Sequence, residues 1–452
     1  MLRCLDTQGV WGSLEPFGFQ LKKTTRFKEE NTISIKVCDA IMGTGKTEAA
    51  ITYMNEHKEK KFIYITPYLA ESNRIKEGCP ELHFVEPSNK LGEYHFRKTE
   101  HTAALVEKGR NITTTHVAFK SYSRETLAKI KELGYTLIID ESLEVLVESQ
   151  LKPIDVKMLK ATGFLTNDNG VYLPTGKWYD EGKFSEEMKM LRSHSIISLN
   201  NGSKEKLYYW ALSPELLTSF DEVFILTYLF GGQSLCYFVK ANKIPYTYIG
   251  VSLKDGVYRF SDNTDYVPEY TKHIKDLIHI IESPKLNRIG DPPHALSMNW
   301  YQRRKAGEDG ELKAVKNHIA NCYKHIWKNS PADERMWGTY KSACNKVKGK
   351  GYTKSYVVFN ERATNSYINK RYLAYAVNLF MNVAERRVYE KFGVEVDQDM
   401  YALSTMLQWI WRSAIRRGEE IWLYVPSRRM RTLLKDWMER VQNGDKDEED
   451  YE

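Results

Sequence analysis

No run of apolar side chains in the 452 residues approaches the roughly 18 to 20 needed to cross a bilayer. The longest, Val223 to Phe230, is interrupted by Thr227, so a membrane span is not expected. The opening MLRCLDTQGVWGSLEPFGFQ lacks a basic stretch followed by an apolar core and a small-residue cleavage site. It does not read as a secretory leader, and the protein is expected in the cytoplasm. Cysteine is scarce: Cys4, Cys38, Cys79, Cys236, Cys322 and Cys344 form no C-x-x-C pair and have no His at zinc-ligand spacing. The thiols therefore read as reduced and mostly buried, and neither a disulfide framework nor a zinc site is expected. No repeat of about 20 to 50 residues is apparent.

What is present fits a folded chain of several domains. Its length is about three times the soft prior of ~150 residues per domain, which suggests two large domains or three smaller ones. Hydrophobic residues make up 42% and charged residues 28%, a balance that supports sizeable cores. The net charge is +7, but the last eight residues, DKDEEDYE, hold six acids and one Lys, so the rest of the chain carries +12. Fifteen Lys or Arg against six Asp or Glu fall between Pro284 and Lys354. Such a concentration suggests a polyanionic partner, since each phosphate contact gains from counterion release; a solvated basic face is the plainer alternative. The acidic tail is expected to be disordered.

Apolar, β-branched runs alternate with helix-compatible segments. Strands are expected at Ile33 to Cys38, Phe62 to Thr66, Ile112 to Thr114, Leu137 to Asp140 and Glu222 to Thr227, and the alternation implies a parallel sheet covered on both faces. Leu151 to Leu207 reads as an excursion, with turn signals at Asn167 to Gly170 and Gly176. After Gly231 and Gly232 come short Tyr-rich pieces and then the basic segment, in which Glu311 to Lys328 carries Leu312, Val315, Ile319, Cys322 and Ile326 at helical spacing. From Tyr356 the expected order is strand Tyr356 to Phe359, helix Lys370 to Phe392, helix Tyr401 to Arg417, strand Ile421 to Val425, and helix Arg428 to Val441 with Ser427 as N-cap. The expected division is an extension 1–30, a first α/β domain 31–230 containing the excursion 151–207, a second 231–441 containing a basic, partly helical insertion 284–354, and an acidic tail 442–452.

The motif Ala40-Ile41-Met42-Gly43-Thr44-Gly45-Lys46-Thr47 is a phosphate loop in its A-x-x-G-x-G-K-T form. Gly43 and Gly45 let backbone N–H groups of the Ala40 to Thr47 loop, Met42 and Thr44 among them, curl round phosphates. Lys46 reaches the β and γ oxygens and Thr47 coordinates Mg²⁺. ATP and Mg²⁺ are the implied ligands. The apolar strand ending in Asp140-Glu141-Ser142 suits the partner motif, with Asp140 in the Mg²⁺ shell and Glu141 as general base on water. A third feature is Gln408, Arg412 and Arg416 at i, i+4 and i+8, one face of an expected helix.

With these motifs the chain resembles a superfamily 2 helicase of the DEAD and DEAH-box type, most like helicase-like ATPases of bacteriophages. The resemblance implies two RecA-like domains facing across an ATP site. It also implies ATP-driven movement on, or unwinding of, nucleic acid: single-stranded or forked DNA by preference, with RNA open. No membrane partner is expected, and the oligomeric state is left open, a monomer included. Asp140-Glu141-Ser142 would occupy the DEAD-type box. Thr66-Pro67 and Thr113-Thr114-Thr115-His116 resemble the family's first strand-contacting motifs, though ordinary caps and turns are the alternative. Thr227 sits where the family couples hydrolysis to movement. The segment QWIWRSAIRR resembles the Q-x-x-G-R-x-x-R motif, with Trp411 in place of Gly and the second Arg one position late. Arg412 is then the finger that stabilises charge in phosphoryl transfer, and Arg416 a sensor or a neighbour. By the same resemblance, Arg362, Thr364 and Asn365 would grip the moving strand, with a capped helix start at Thr364 or Asn365 as the plainer alternative. Lys341, Lys346, Lys348 and Lys350 would carry sequence-independent affinity, and Trp300, Trp327 and Trp337 could stack bases or simply pack. A genome-packaging ATPase is one rival reading, for which Asp397 and Asp399 are the nearest acids to a nuclease site. An ATP-switched binding protein with little turnover is the other.

Overall fold

The computed structural model describes residues 33–67, 69–91, 94–95, 98–179, 182–200, 206–328, 330–360 and 365–445. The extension 1–30, the tail past residue 445, Arg362 and Thr364 lie outside the described residues.

The fold is α/β, with two separate parallel sheets. The first runs in the order Val257–Ser261, Tyr246–Lys254, Ser34–Asp39, Glu222–Thr227, Tyr135–Asp140, Lys61–Thr66, Ile112–Thr115, and only the Val257–Ser261 edge strand is antiparallel. Its central strands Lys61–Thr66, Tyr135–Asp140 and Glu222–Thr227 are apolar almost throughout because both faces are covered there. Leu137 and Ile139 enter the core on one side together with Val223 and Ile225, while Ile138 and Phe224 enter the other, beside the Lys46–Glu56 helix. This is the two-residue alternation of a strand. The register aligns the ends of the strands: Asp39 pairs with Thr227, Leu226 with Asp140, and Thr66 with Thr115.

The first sheet does not stop at residue 230. Gly231 and Gly232 form a buried turn, the apolar helix Ser234–Ala241 packs into the first core, and the chain returns as Tyr246–Lys254 beside Ser34–Asp39. The excursion is a five-stranded antiparallel sheet in the order Leu146–Glu148, Lys206–Leu212, His194–Asn200, Val171–Pro174, Leu165–Asp168. The helices Pro153–Ala161 and Ser185–Leu191 close one face. Ile197, Leu199, Tyr209 and Ala211 join the other face to the first core.

The second sheet runs Ile278–Ile280, Ile421–Tyr424, Tyr372–Tyr375, Arg335–Gly338, all parallel. Two expectations are corrected here. The basic segment is not an insertion outside the fold, since it contributes the edge strand Arg335–Gly338 and the core-facing helix Gly310–Asn321. The expected strand at Tyr356 makes one bridge to Trp337, and the strand lies instead within the expected helix Lys370 to Phe392. Leu373, Ala374, Tyr375, Ala376 and Val377 are all fully buried, as an interior parallel strand requires; helix resumes only at Val383–Lys391. That helix crosses back to the first half, where Val388 and Tyr389 enter its core.

Among the described residues no helix is long and apolar enough to cross a membrane.

Candidate nucleotide site between the two sheets

The Ser34–Asp39 strand ends in a loop that turns directly into the Lys46–Glu56 helix. Gly43 and Gly45 adopt φ of 84° and 86°, a left-handed backbone that side chains with Cβ adopt only at a cost. Gly45 also has no room: a Cβ there would lie 2.4 Å from the Tyr258 ring. The Lys46 ammonium bonds the carbonyls of Ala40 and, at 3.2 Å, Ile41. Burial pushes that ammonium down from its ordinary value, against the pull of Cys38, Asp39, Asp140 and Glu141. Asp39 anchors the neighbouring strand exit, accepting the amides of Leu229 and Phe230 at 2.7 Å each.

One strand further on, Asp140 ends the Tyr135–Asp140 strand, and Glu141 follows with φ 63°. Burial, and then the adjacent Glu141 charge, push the Asp140 carboxyl up to about 7. The site sets two carboxylates crowded at a strand end beside Lys46 and Arg74 of the same half. It suits a phosphate group carrying a divalent cation: Thr47 and Asp140 are the residues that would hold Mg²⁺, beside the N–H groups of the loop.

The second half supplies the opposite wall. Helix Gln398–Ile410 ends at Trp411, and Arg416 follows on the short 3-10 turn Ala414–Arg417. The single helical face expected for Gln408, Arg412 and Arg416 is therefore broken after Ile410. All three nevertheless line one cleft of about 410 Å³ together with Lys46, Thr47, Asp140, Glu141 and Thr227. Arg412 is only 4% exposed. Trp411, 5% exposed, fills the seam between the halves, which accounts for the bulk found where the motif has Gly.

The expected strand contacts fare differently. Thr66 and Thr114 are fully buried, so their hydroxyls do not present a surface to a polymer. His116, 3% exposed, bonds the Asp140 carbonyl through Nε2 at 2.8 Å and braces the carboxylate strand. Thr115 caps the His116–Phe119 helix by accepting the Ala118 amide. Pro67 follows Thr66, part-exposed, and Asn365 opens a short 3-10 turn. Lys341, Lys348 and Lys350 are exposed and away from the cleft lining. Lys346 is engaged instead, donating to the carbonyls of Tyr301 at 2.6 Å and Arg304 at 2.8 Å. Trp327 and Trp337 are core residues, while Trp300 lies under the Arg304 guanidinium at 3.9 Å. Asp397 caps the Gln398–Ile410 helix and Asp399 pairs with Arg429, so neither joins an acidic cluster.

Sequence reasoning missed Asp39, Gln233, Tyr258 and Tyr270. Each has a partner distant in the chain, as when Asp39 meets Leu229 or Gln233 meets Ser404, and no local motif marks them.

A family model described as the YonV C-terminal Rossmann-like domain matches residues 272–438, which take in the whole second sheet. The SPbeta prophage-derived uncharacterized protein YonV of Bacillus subtilis (strain 168) is 37% identical over 419 residues, spanning 90% of this chain and 98% of its own. Among solved structures the chain is similar to an apo form of XPD (TM-score 0.45, 12% identity, 89% of this chain and 96% of that one). It is also similar to an XPD helicase (0.42, 10%, 91% and 95%) and to Xpd4 of S. tokodaii (0.41, 10%, 90% and 94%).

Proposed function

The chain belongs to the YonV family, and we propose that it is an ATPase that drives movement along, or unwinding of, nucleic acid, with DNA as the polymer. One observation carries this reading: Lys46, Thr47, Asp140 and Glu141 from the first half and Gln408, Arg412 and Arg416 from the second line the same cleft. A phosphate loop alone binds nucleotide. Side chains from a second sheet facing the γ end make hydrolysis sensitive to how the halves sit, which is what a motor requires.

In this reading Lys46 and the loop N–H groups hold the phosphates, and Thr47 and Asp140 hold a Mg²⁺ that, when bound, neutralises charge on them. Glu141 takes a proton from the attacking water. Arg412, desolvated against the second half, stabilises negative charge growing in transfer. Gln408 orients the same group, and Arg416 senses its presence. Thr227 relays the change to the strand end. The exposed Lys341, Lys348 and Lys350, with Lys313 and Lys316 on the adjoining helix, give the second half a basic face for a phosphate backbone.

The deciding experiment is the ATP hydrolysis rate alone and with single-stranded DNA, duplex DNA or RNA. Stimulation by DNA is the expected result. A protein that binds ATP and DNA but hydrolyses at the same negligible rate in all four conditions is a switch, and the motor reading then fails.

A further inference from the structure

Gln233 belongs to none of the motifs, yet it lies 6% exposed at the junction of the two halves. Its amide nitrogen lies 2.7 Å from Thr227 Oγ1, 2.8 Å from the Tyr228 carbonyl and 3.4 Å from Ser404 Oγ, so its two hydrogens are shared among three acceptors. Its amide oxygen accepts from Thr227 Oγ1 at 2.9 Å. Thr227 lines the cleft. Ser404 sits on the Gln398–Ile410 helix one turn before Gln408, on the same face.

The packing keeps these groups in register. A Cβ added to Gly232 would lie 2.6 Å from the backbone of Met400, so the turn before Gln233 presses directly on the first turn of that helix. A single carboxamide thus joins the strand end that sees the cleft to the helix that carries Gln408 and leads into Arg412. Breaking such a bond leaves buried polar groups unsatisfied, and a network of this kind acts as a unit.

We propose that Gln233 is a positioning residue that couples Thr227 to the Ser404 face of the second-half helix, setting where Gln408 and Arg412 stand relative to the nucleotide. The proposal rests on the reading of the cleft as an ATP site. It assigns to Gln233 an effect on turnover that is separable from nucleotide binding, because Gln233 does not line the cleft and its side-chain hydrogen bonds go to Thr227, Tyr228 and Ser404, none of them in the phosphate loop.

The test uses the full chain with Gln233→Ala, Ser404→Ala and the double variant. Affinity for a fluorescent ATP analogue, kcat, KM and thermal midpoint are measured for each. Turnover should fall about tenfold in Gln233→Ala with the analogue Kd kept within about twofold, and the double variant should be no worse than the worse single one, as coupled residues behave. Ser404→Ala removes one hydroxyl and leaves the Thr227–Gln233 bonds in place; its kcat should fall in the same direction. If Gln233→Ala does not fold, Ser404→Ala decides alone. Unchanged kcat in Ser404→Ala or Gln233→Ala, equal losses of Kd and kcat, or additive losses in the double variant would each overturn the assignment. A wild-type protein that fails to bind the analogue sinks the ATP reading itself, a result visible before any variant is made.

Discussion

The ring of Tyr270 packs against Trp411, centroids 5.8 Å apart, while its hydroxyl donates to the carbonyl of Met42 in the phosphate loop. Tyr270 lies on the segment that crosses from the first sheet to the second, so loop, connector and second half meet at one side chain. Trp411 in turn stands edge-on to Trp437 at 5.4 Å, and Trp437 donates to the Tyr228 hydroxyl at 2.8 Å. Aromatic contacts therefore close a circuit from the loop through the second half to the strand end after Thr227.

Restoring the motif's glycine should damage this protein. Trp411→Gly removes a buried indole that fills the seam and should lower unfolding free energy by about 3 to 5 kcal/mol. Tyr270→Phe, which loses only the hydroxyl, should lower it by about 1 kcal/mol. Denaturant melts check both, and an equal, small loss in the two would show that Trp411 does not fill the seam.

The cleft residues divide into holding and reacting groups. Lys46→Ala should abolish binding of a fluorescent ATP analogue. Glu141→Gln should bind it as the wild type does and lose turnover by at least about 10²-fold. Arg412→Ala should lose about 10³-fold in kcat, and the exposed Arg416→Ala less. Steady-state hydrolysis and equilibrium titration separate these outcomes; a Glu141→Gln protein with wild-type turnover removes Glu141 from the chemistry.

The loop and the carboxylate strand were legible because their geometry is local. The Gly43 and Gly45 backbone, the helix beginning at Lys46, and Asp140 ending an apolar strand follow from runs of a few residues. The second half was less legible. Tyr372–Tyr375 reads as helix because Leu373 and Ala374 suit one and helix-compatible residues follow, and its pairing between neighbouring strands makes it a strand. Arg412 follows from the resemblance, but the helix ends one residue before Trp411, whose ring packs against Tyr270 and Trp437 from other parts of the chain. Gln233 was invisible because its meaning lies in Ser404, which belongs to the other half.

The basic face can be separated from its one engaged member. Changing Lys341, Lys348 and Lys350 together to Gln should weaken DNA binding and flatten the slope of log K against log salt by about 2 to 3, since each phosphate contact contributes about 0.7 to 0.9. Hydrolysis without DNA should persist. Lys346→Gln should instead destabilise by about 1 kcal/mol, because its ammonium joins the carbonyls of Tyr301 and Arg304. An unchanged salt slope in the triple variant would identify a merely solvated face.

Glu385 offers a pH-dependent measure of how the crossing helix is held. It lies in the first turn of Val383–Lys391, within bonding distance of the Ser234 hydroxyl at 3.2 Å on the first half. Burial pushes its carboxyl up to about 7; the Ser234 hydroxyl opposes this and the Glu144 charge adds to it. With a folded value above the unfolded one, the native state holds a proton that the unfolded chain releases between pH 4.5 and 7. The wild type should therefore lose stability as pH rises through that window. Glu385→Gln, which keeps the shape and cannot ionise, should lack this loss and be the more stable protein at pH 8, by on the order of 1 kcal/mol after screening at a partly exposed site. Urea melts at pH 5 and pH 8 test it. The advantage of Gln should grow between the two, and a constant difference would mean that Glu385 ionises as readily in the folded protein as in the unfolded chain.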